Sequence, residues 1–335
     1  MSDIDVLNNI VFATTTPLTS GTDNVVGTGG ANLVLGELAD GGNAGLNTLN
    51  PSDVINGAGG TQDMLRVTAT GSTPSVAGFT MNGVEIAQIR NFSTDNTLDL
   101  DFINVQGTTT FWLQNTTGQT NIENIQNAAD ILVEGGPNGD PAEAIFNFND
   151  SLYQGANDSV DITVDDANAD IELNDYEDAG RIEHVNIIAD GADSELELDI
   201  EGQDTWTITG NAENLEIAQE DYNYDSEYLS SIDATGFTGN LELYAQIGQN
   251  GDEAATVSTG GGFDSLELQG DGSDVVIETR AKADTVYASG FDDVTVNTAK
   301  GADLVNIGNV DDVDLRTGNG NDYAEVSSNG NLTAD

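Results

Sequence analysis

The chain has 335 residues with 59 acidic and 7 basic side chains, a formal net charge of −52, 39 glycines, one histidine and no cysteine. A surface this negative repels phosphate backbones and anionic head groups, which excludes nucleic-acid binding and charge-driven membrane binding. Without cysteine there is no disulfide, thiolate zinc site or cysteine nucleophile, and His184 alone leaves little for a His-rich metal centre or Ser-His-Asp catalysis. No apolar run approaches the roughly 18 residues of a membrane helix. Acidic, aromatic-poor chains are commonly disordered. Here, however, Val, Ile, Leu and Thr recur in alternating runs such as LELDI (196–200) and VTVN (294–297), the signature of a folded chain. So many carboxylates repel one another in a compact state, so the counter-charge must come from outside, as divalent cations or high salt.

Residues 1–20 are apolar, Thr-rich and outside any repeat, and are expected to form an extended segment able to add as a strand to a neighbouring subunit. The opening MSDIDVLNNIVFATTT has neither a basic region nor a continuous apolar core of the kind a cleavable signal needs. Residues 1–136 hold 14 acidic residues against 2 basic ones, and residues 21–136 read as a less acidic, Thr/Asn/Gly-rich β region. Residues 137–335 hold 45 acidic and 5 basic residues, so the net charge is −12 before residue 137 and −40 after it. Short strand-like words punctuated by Gly, Asn and Asp run throughout, among them MLRVTAT (64–70), DSVDITV (158–164), DTWTITG (204–210) and NLELYAQ (240–246). No stretch keeps a 3.6-residue period for three turns. The chain is therefore all-β, with one short helical turn expected around YNYDSEYLSSID (222–233).

After residue 255 the aspartates become periodic. They fall at 264, 274, 284, 292, 303, 311 and 322, and taken two at a time the steps are 20, 18, 19, 19 and 19. A coil of two strands and two tight turns, stacked on its predecessor, must repeat its path in this way. This predicts a parallel β-solenoid with about 19 residues per turn, with the apolar residue two places after each Asp (Leu266, Val276, Val286, Val294, Val305, Val313, Ala324) pointing inward. Aspartates stacked on turn edges beside glycine carbonyls offer oxygen-only ligands in flexible geometry, which suits calcium. The alternative is that each Asp caps its own turn.

The copies Gly260-Gly261-Gly262-Phe263-Asp264-Ser265-Leu266, Gly270-Asp271-Gly272-Ser273-Asp274-Val275-Val276 and Gly318-Asn319-Gly320-Asn321-Asp322 resemble the calcium-binding nonapeptide of RTX proteins. The stretch from Asn47 to Leu65 and the phrases GTDNVVGTGG (21–30), ANLVLG (31–36) and SSIDATGFTGNLEL (230–243) look like secreted RTX-type surface-layer and adhesin proteins. The resemblance implies calcium at Gly270, Gly272, Asp274, Gly318, Gly320 and Asp322, with Asp264, Asp303, Asp292 and Asp311 as further ligands. Asp284 is left out, because Arg280 and Lys282 replace the glycines of its word. It also implies an extracellular protein exported without a cleaved signal, by a type I route.

Paired acids (Asp165-Asp166, Asp292-Asp293, Asp311-Asp312) echo glycosidase or lyase carboxylates, but the chain has almost no Lys or Arg to neutralise an acidic substrate, so no enzyme is expected. His184, Trp112 and Trp206 read as strand or packing residues. A solenoid has open ends that must be capped or paired, and no amphipathic capping helix is visible. The expected function is thus an extracellular structural protein that self-assembles head to tail, with calcium, into a surface layer or filament. The alternative is a monomeric calcium-dependent adhesin or carbohydrate-binding module. The expected partners are further copies of the chain and calcium ions, with cell-surface polysaccharide as an additional candidate, and neither nucleic acid nor membrane insertion.

Overall fold

The computed structural model describes residues 3–39, 45–71, 75–76, 78–93, 97–136, 141–149, 151–155, 157–174, 182–200, 202–219, 229–248, 254–270 and 272–335. The chain is all-β, a parallel β-solenoid of about 13 turns spaced about 22 residues apart, with almost no helix. Most of the segment expected to hold a helical turn (222–233) lies outside the described residues. Strands form where side chains alternate: in Asp193–Ile200, Ser194, Leu196, Leu198 and Ile200 are buried while Glu195 is exposed. The chain divides into two compact units, residues 1–155 with 160–180, and residues 156–159 with 181–335.

In the first unit one parallel sheet runs through Thr14–Pro17, Asn32–Leu38, Met64–Ala69, Ile86–Asn91, Thr110–Gln114 and Asp130–Glu134. A second contains Leu98–Asp101, Thr120–Ile125, Ala142–Phe148 and Asn168–Asn174. A third, of short strands, contains Asn24–Val26, Val54–Asn56, Thr80–Asn82 and Val105–Gln106. Between them aromatic rings fill the coil: Phe79 to Phe102 at 5.5 Å, Phe102 to Phe111 at 5.2 Å and Phe111 to Phe146 at 5.7 Å between centroids. Such edge and tilted contacts suit the ring quadrupole.

The N-terminal segment is not simply extended. It forms a six-residue helix, Asp3–Asn8, and its strand Thr14–Pro17 pairs with Asn32–Leu35 of its own chain. Ile4 is buried against Leu33, Met64, Ile86, Trp112 and Leu132, with Leu7, Ile10, Phe12 and Leu35 packed around them. These partners lie on the outward face of the first sheet, where a solenoid is ordinarily polar. The segment therefore works as a lateral cover. Asn8 ties it down by donating to Glu134 Oε1 at 3.1 Å.

In the second unit one sheet runs from His184–Asp190 through Val275–Glu278, Asp293–Asn297 and Asp312–Arg316 to Leu332–Ala334, and the other from Asp193–Ile200 through Ser265–Gln269, Thr285–Ser289 and Leu304–Val310 to Tyr323–Ser328. The 19-residue step is found here: Thr285 faces Leu304, which faces Tyr323, and Val294 faces Val313, which faces Leu332. Leu266, Val286, Val294, Val305 and Val313 point inward as expected. Val276 does not, because the strand enters one residue earlier and buries Val275 and Ile277 instead. Ala324 lies in a last coil that is exposed together with Tyr323 and Leu332. Among the described residues no helix is long and apolar enough to cross a membrane.

Candidate cation sites along the carboxylate columns

The ten residues singled out from the sequence fall on two edges of the second unit. On one edge the words 259–264, 279–284, 298–303 and 317–322 each begin with Thr and end with an Asp that immediately precedes a strand. There each carboxylate reaches the backbone of the preceding coil. The Asp264 N–H donates to Asp284 Oδ1 at 3.1 Å, the Asp284 N–H to Asp303 Oδ1 at 2.9 Å, and the Asp303 N–H to Asp322 Oδ1 at 3.1 Å. Asp264 closes the series by accepting from the Leu241 N–H at 3.2 Å and the Thr259 hydroxyl at 2.6 Å. The cause is local. A tight turn before each strand leaves the Asp N–H without a sheet partner, and a buried donor must be satisfied. These aspartates do cap turns, but each caps the turn of another coil.

Glycine is required where the turn and carboxylate crowd together. A Cβ on Gly320 would lie 1.5 Å from the Gly301 carbonyl oxygen, and one on Gly301 would lie 2.1 Å from Asp303 Oδ1. At the corresponding place Lys282 adopts φ +89°, which is strained for a side chain. Its ammonium lies 4.7 Å from the centre of the Phe263 ring. Asp284, left out of the calcium set, occupies the same column in the same way as Asp264 and Asp303. All three are buried, and Asp303 Oδ2 has no hydrogen-bond partner. Burial pushes the Asp284 carboxyl up to about 6, opposed by the Thr279 hydroxyl and the Asp264 N–H and reinforced by the charges of Asp264 and Asp303. Burial also raises Asp264, opposed by the Thr259 hydroxyl, the Leu241 N–H and the Lys282 charge.

The other edge has the opposite polarity. Asp274 Oδ1 accepts the N–H of Asp293 in the following coil at 3.2 Å, and Asp312 Oδ1 accepts the N–H of Asn331 at 2.6 Å. The partners in register are thus Asp274, Asp293 and Asp312. Asp292 and Asp311 stand one residue earlier, exposed, and stack through their backbones, with the Asp311 N–H on the Asp292 carbonyl at 2.7 Å. Gly270 gives way to the Phe291 ring, 2.3 Å from where its Cβ would be, and Gly272 turns with φ +81°. Gly318 belongs to the first edge, at φ +74°.

Both edges offer carboxylate and carbonyl oxygen, the donor chemistry of a hard cation, and Asp303 Oδ2 is buried without a hydrogen-bond partner. Among the described residues no three acidic or histidine side chains converge as a metal cluster. A cation would instead meet the carboxylates of successive coils.

Two further columns have weaker sequence signals. In the first unit the Asn32 N–H donates to Asp63 Oδ1 at 2.7 Å and the Asp63 N–H to Glu85 Oε2 at 2.9 Å, while the Asp23 N–H donates to Asp53 Oδ1 at 2.8 Å. Asp53 and Asp63 are buried, and Gly57-Ala58-Gly59-Gly60 before Asp63 is their signal. On the outer face of the second unit Glu195, Glu216 and Glu242 stack in direct register; the recurring Leu-Glu-Leu/Ile words announce them. Burial, then Glu242, Glu195 and Glu197, push the Glu216 carboxyl up. Tyr244 donates to Glu242 Oε1 at 2.5 Å, which raises its own pKa to about 12. His184 Nδ1 lies 2.7 Å from Thr205 Oγ1, and buried Trp206 donates to Gln203 Oε1 at 2.7 Å. Comparison with protein-family models, with curated proteins and with solved structures yields no match to this chain.

Proposed function

We propose that this protein is an extracellular structural subunit that self-assembles when divalent cations, above all calcium, neutralise its carboxylate columns. The observation that carries this reading is the stacking of like charges in register. Asp264, Asp284, Asp303 and Asp322 stack along one edge of the second unit, and Glu195, Glu216 and Glu242 along its outer face, in a chain with 59 acidic and 7 basic residues. Carboxylates on neighbouring strands about 4.8 Å apart repel, and the chain lacks the cations to offset them. On one edge Asp303 and Asp322, with Asp264 and Asp284, would hold the ion; on the other Asp274 with Asp293 and Asp312, which stand in register with it, rather than Asp292 and Asp311. The bound ion supplies charge neutralisation and cross-links coils, and a regular solenoid supplies repetitive faces for contact between copies.

Size-exclusion chromatography and negative-stain microscopy, with millimolar calcium or with chelator, test the reading. Assemblies in calcium that dissolve in chelator are expected. Monodisperse 35 kDa particles in calcium would overturn assembly, and equal assembly in sodium chloride alone would overturn the calcium role. Replacing Asp274 and Asp322 with Asn is expected to reduce the gain in Tm on adding calcium.

A further inference from the structure

Arg66 and Arg90 are the two basic residues of the first 136, and the fold brings them together. They stand on the neighbouring strands Met64–Ala69 and Ile86–Asn91, where Arg66 faces Gln88 and Thr68 faces Arg90. The two arginines are thus diagonal neighbours, roughly 7–8 Å apart at the backbone. Leu65, Val67 and Ile89 between them point into the core, so both arginines lie on the outward face, half-buried. Arg66 donates through Nε to Gln88 Oε1. The Arg90 guanidinium lies 5.5 Å from the centre of the Phe92 ring, and its Nε is buried without a hydrogen-bond partner. Among the described residues neither guanidinium forms an ion pair, although acidic residues outnumber basic ones by 59 to 7. Burial, and then the charge of Arg90, pull the Arg66 pKa down. A guanidinium is a fixed fork of donors that matches a carboxylate bidentately, and here two of them wait without one.

The second unit carries the converse fault. Glu195, Glu216 and Glu242 stack in register on an outward face, with Glu197 on the same strand as Glu195 and no basic residue in register with them. Each surface is unfavourable by itself, and each holds what the other lacks.

We propose that the two surfaces meet between copies of the chain, with the Arg66–Arg90 pair of one copy docked on the Glu195–Glu216–Glu242 column of another. This rests on the self-assembly reading above and adds a lateral contact to it. Charge complementarity selects the partner and its register: the donors are spaced by adjacent strands of one sheet and the acceptors by adjacent strands of another, so both share the strand period. The contact is electrostatic, so it weakens as salt shortens the Debye length.

The test is charge reversal in the full chain, under calcium conditions in which the unmodified protein assembles. The double variant R66E/R90E is expected to raise the critical concentration for assembly roughly tenfold or more, with its monomer Tm and circular dichroism close to those of the parent. Glu195→Arg with Glu216→Arg is expected to do the same. Mixing the two variants, or combining all four changes in one chain, is expected to restore assembly, which a merely structural role would not do. The milder R66Q/R90Q variant covers the case in which a reversal misfolds, and a smaller rise of the same sign is expected. Assembly of R66E/R90E at the parent's critical concentration would overturn the contact while leaving calcium-driven assembly standing, as would failure of the opposite-charge variants to rescue each other. Saturable binding of an acidic polysaccharide lost in R66Q/R90Q, with assembly unchanged, would also overturn it by assigning the arginines another ligand. If the unmodified chain does not assemble at all, both readings fall.

Discussion

The first unit fills its coils with aromatic rings, Phe79, Phe102, Phe111 and Phe146, while the late coils of the second use Val286, Ala288, Val296, Val305, Ile307 and Leu315. The steps between stacked residues differ as well. In the first unit Leu33 faces Met64 and Met64 faces Ile86, steps of 31 and 22 residues; in the second Thr285 faces Leu304 and Leu304 faces Tyr323, both 19. Loops of variable length cost little closure entropy, so a parallel sheet alone does not enforce a constant coil. The late coils differ in having both edges tied by carboxylate-to-amide bonds between neighbours 19 or 20 residues apart. An inserted residue would break such a bond, and on the edge of Asp264, Asp284 and Asp303, where the donors are buried, an unsatisfied N–H costs about 1–3 kcal/mol. The carboxylate columns thus act as a ruler for coil length, which the first unit, with fewer such bonds, does without.

The contrast can be broken most severely in the aromatic core. Phe111→Ala removes the ring between Phe102 and Phe146 and is expected to cost about 3–5 kcal/mol, read as a lower urea midpoint. Next is Ile4→Ala, which uncovers Trp112 and its neighbours. About 2–4 kcal/mol and a red-shifted Trp112 emission are expected, and an unchanged spectrum would show that the segment is not a cover. Asp303→Ala strands the Asp284 N–H, at about 1–3 kcal/mol. Asp303→Asn keeps an acceptor while removing a buried charge, so without calcium it is expected to lose little.

The pH dependence follows from Asp284. Its carboxyl is raised from the ordinary carboxylate value to about 6, so between those limits the folded chain binds the proton that the unfolded chain has released. Stability therefore falls as pH rises through that window, and in chelator a higher Tm is expected at pH 5 than at pH 7. Asp284→Asn is expected to flatten this slope; an unchanged slope would place its origin elsewhere. The smallest effect is expected for Arg316→Ala. It breaks the 2.6 Å pair with Asp314, exposed on both sides, and surface pairs contribute about 0–1 kcal/mol.

The periodicity of the late aspartates was legible in the sequence because stacked coils must repeat their path. Which aspartate pairs with which was not. The doublets Asp292-Asp293 and Asp311-Asp312 offer two registers one residue apart, and a one-residue slip exchanges the two faces of a strand. Only pairing chose Asp293 and Asp312, and with them Val275 over Val276 as the buried residue. The N-terminal cover was invisible for a different reason. Its helix is six residues long, too short to show a period, and its partners Leu33, Met64, Ile86, Trp112 and Leu132 are scattered over a hundred residues of chain.

By itself the sequence determined the all-β class, the coil and the 19-residue step of the late coils. These follow from composition, alternation and repetition, which act through neighbours in the chain. The tertiary structure decided the opposite polarity of the two aspartate columns, the lateral N-terminal cover and the meeting of Arg66 with Arg90. Those depend on which residues stacking brings side by side, and a parallel solenoid pairs residues one whole coil apart, a distance across which local sequence carries no instruction.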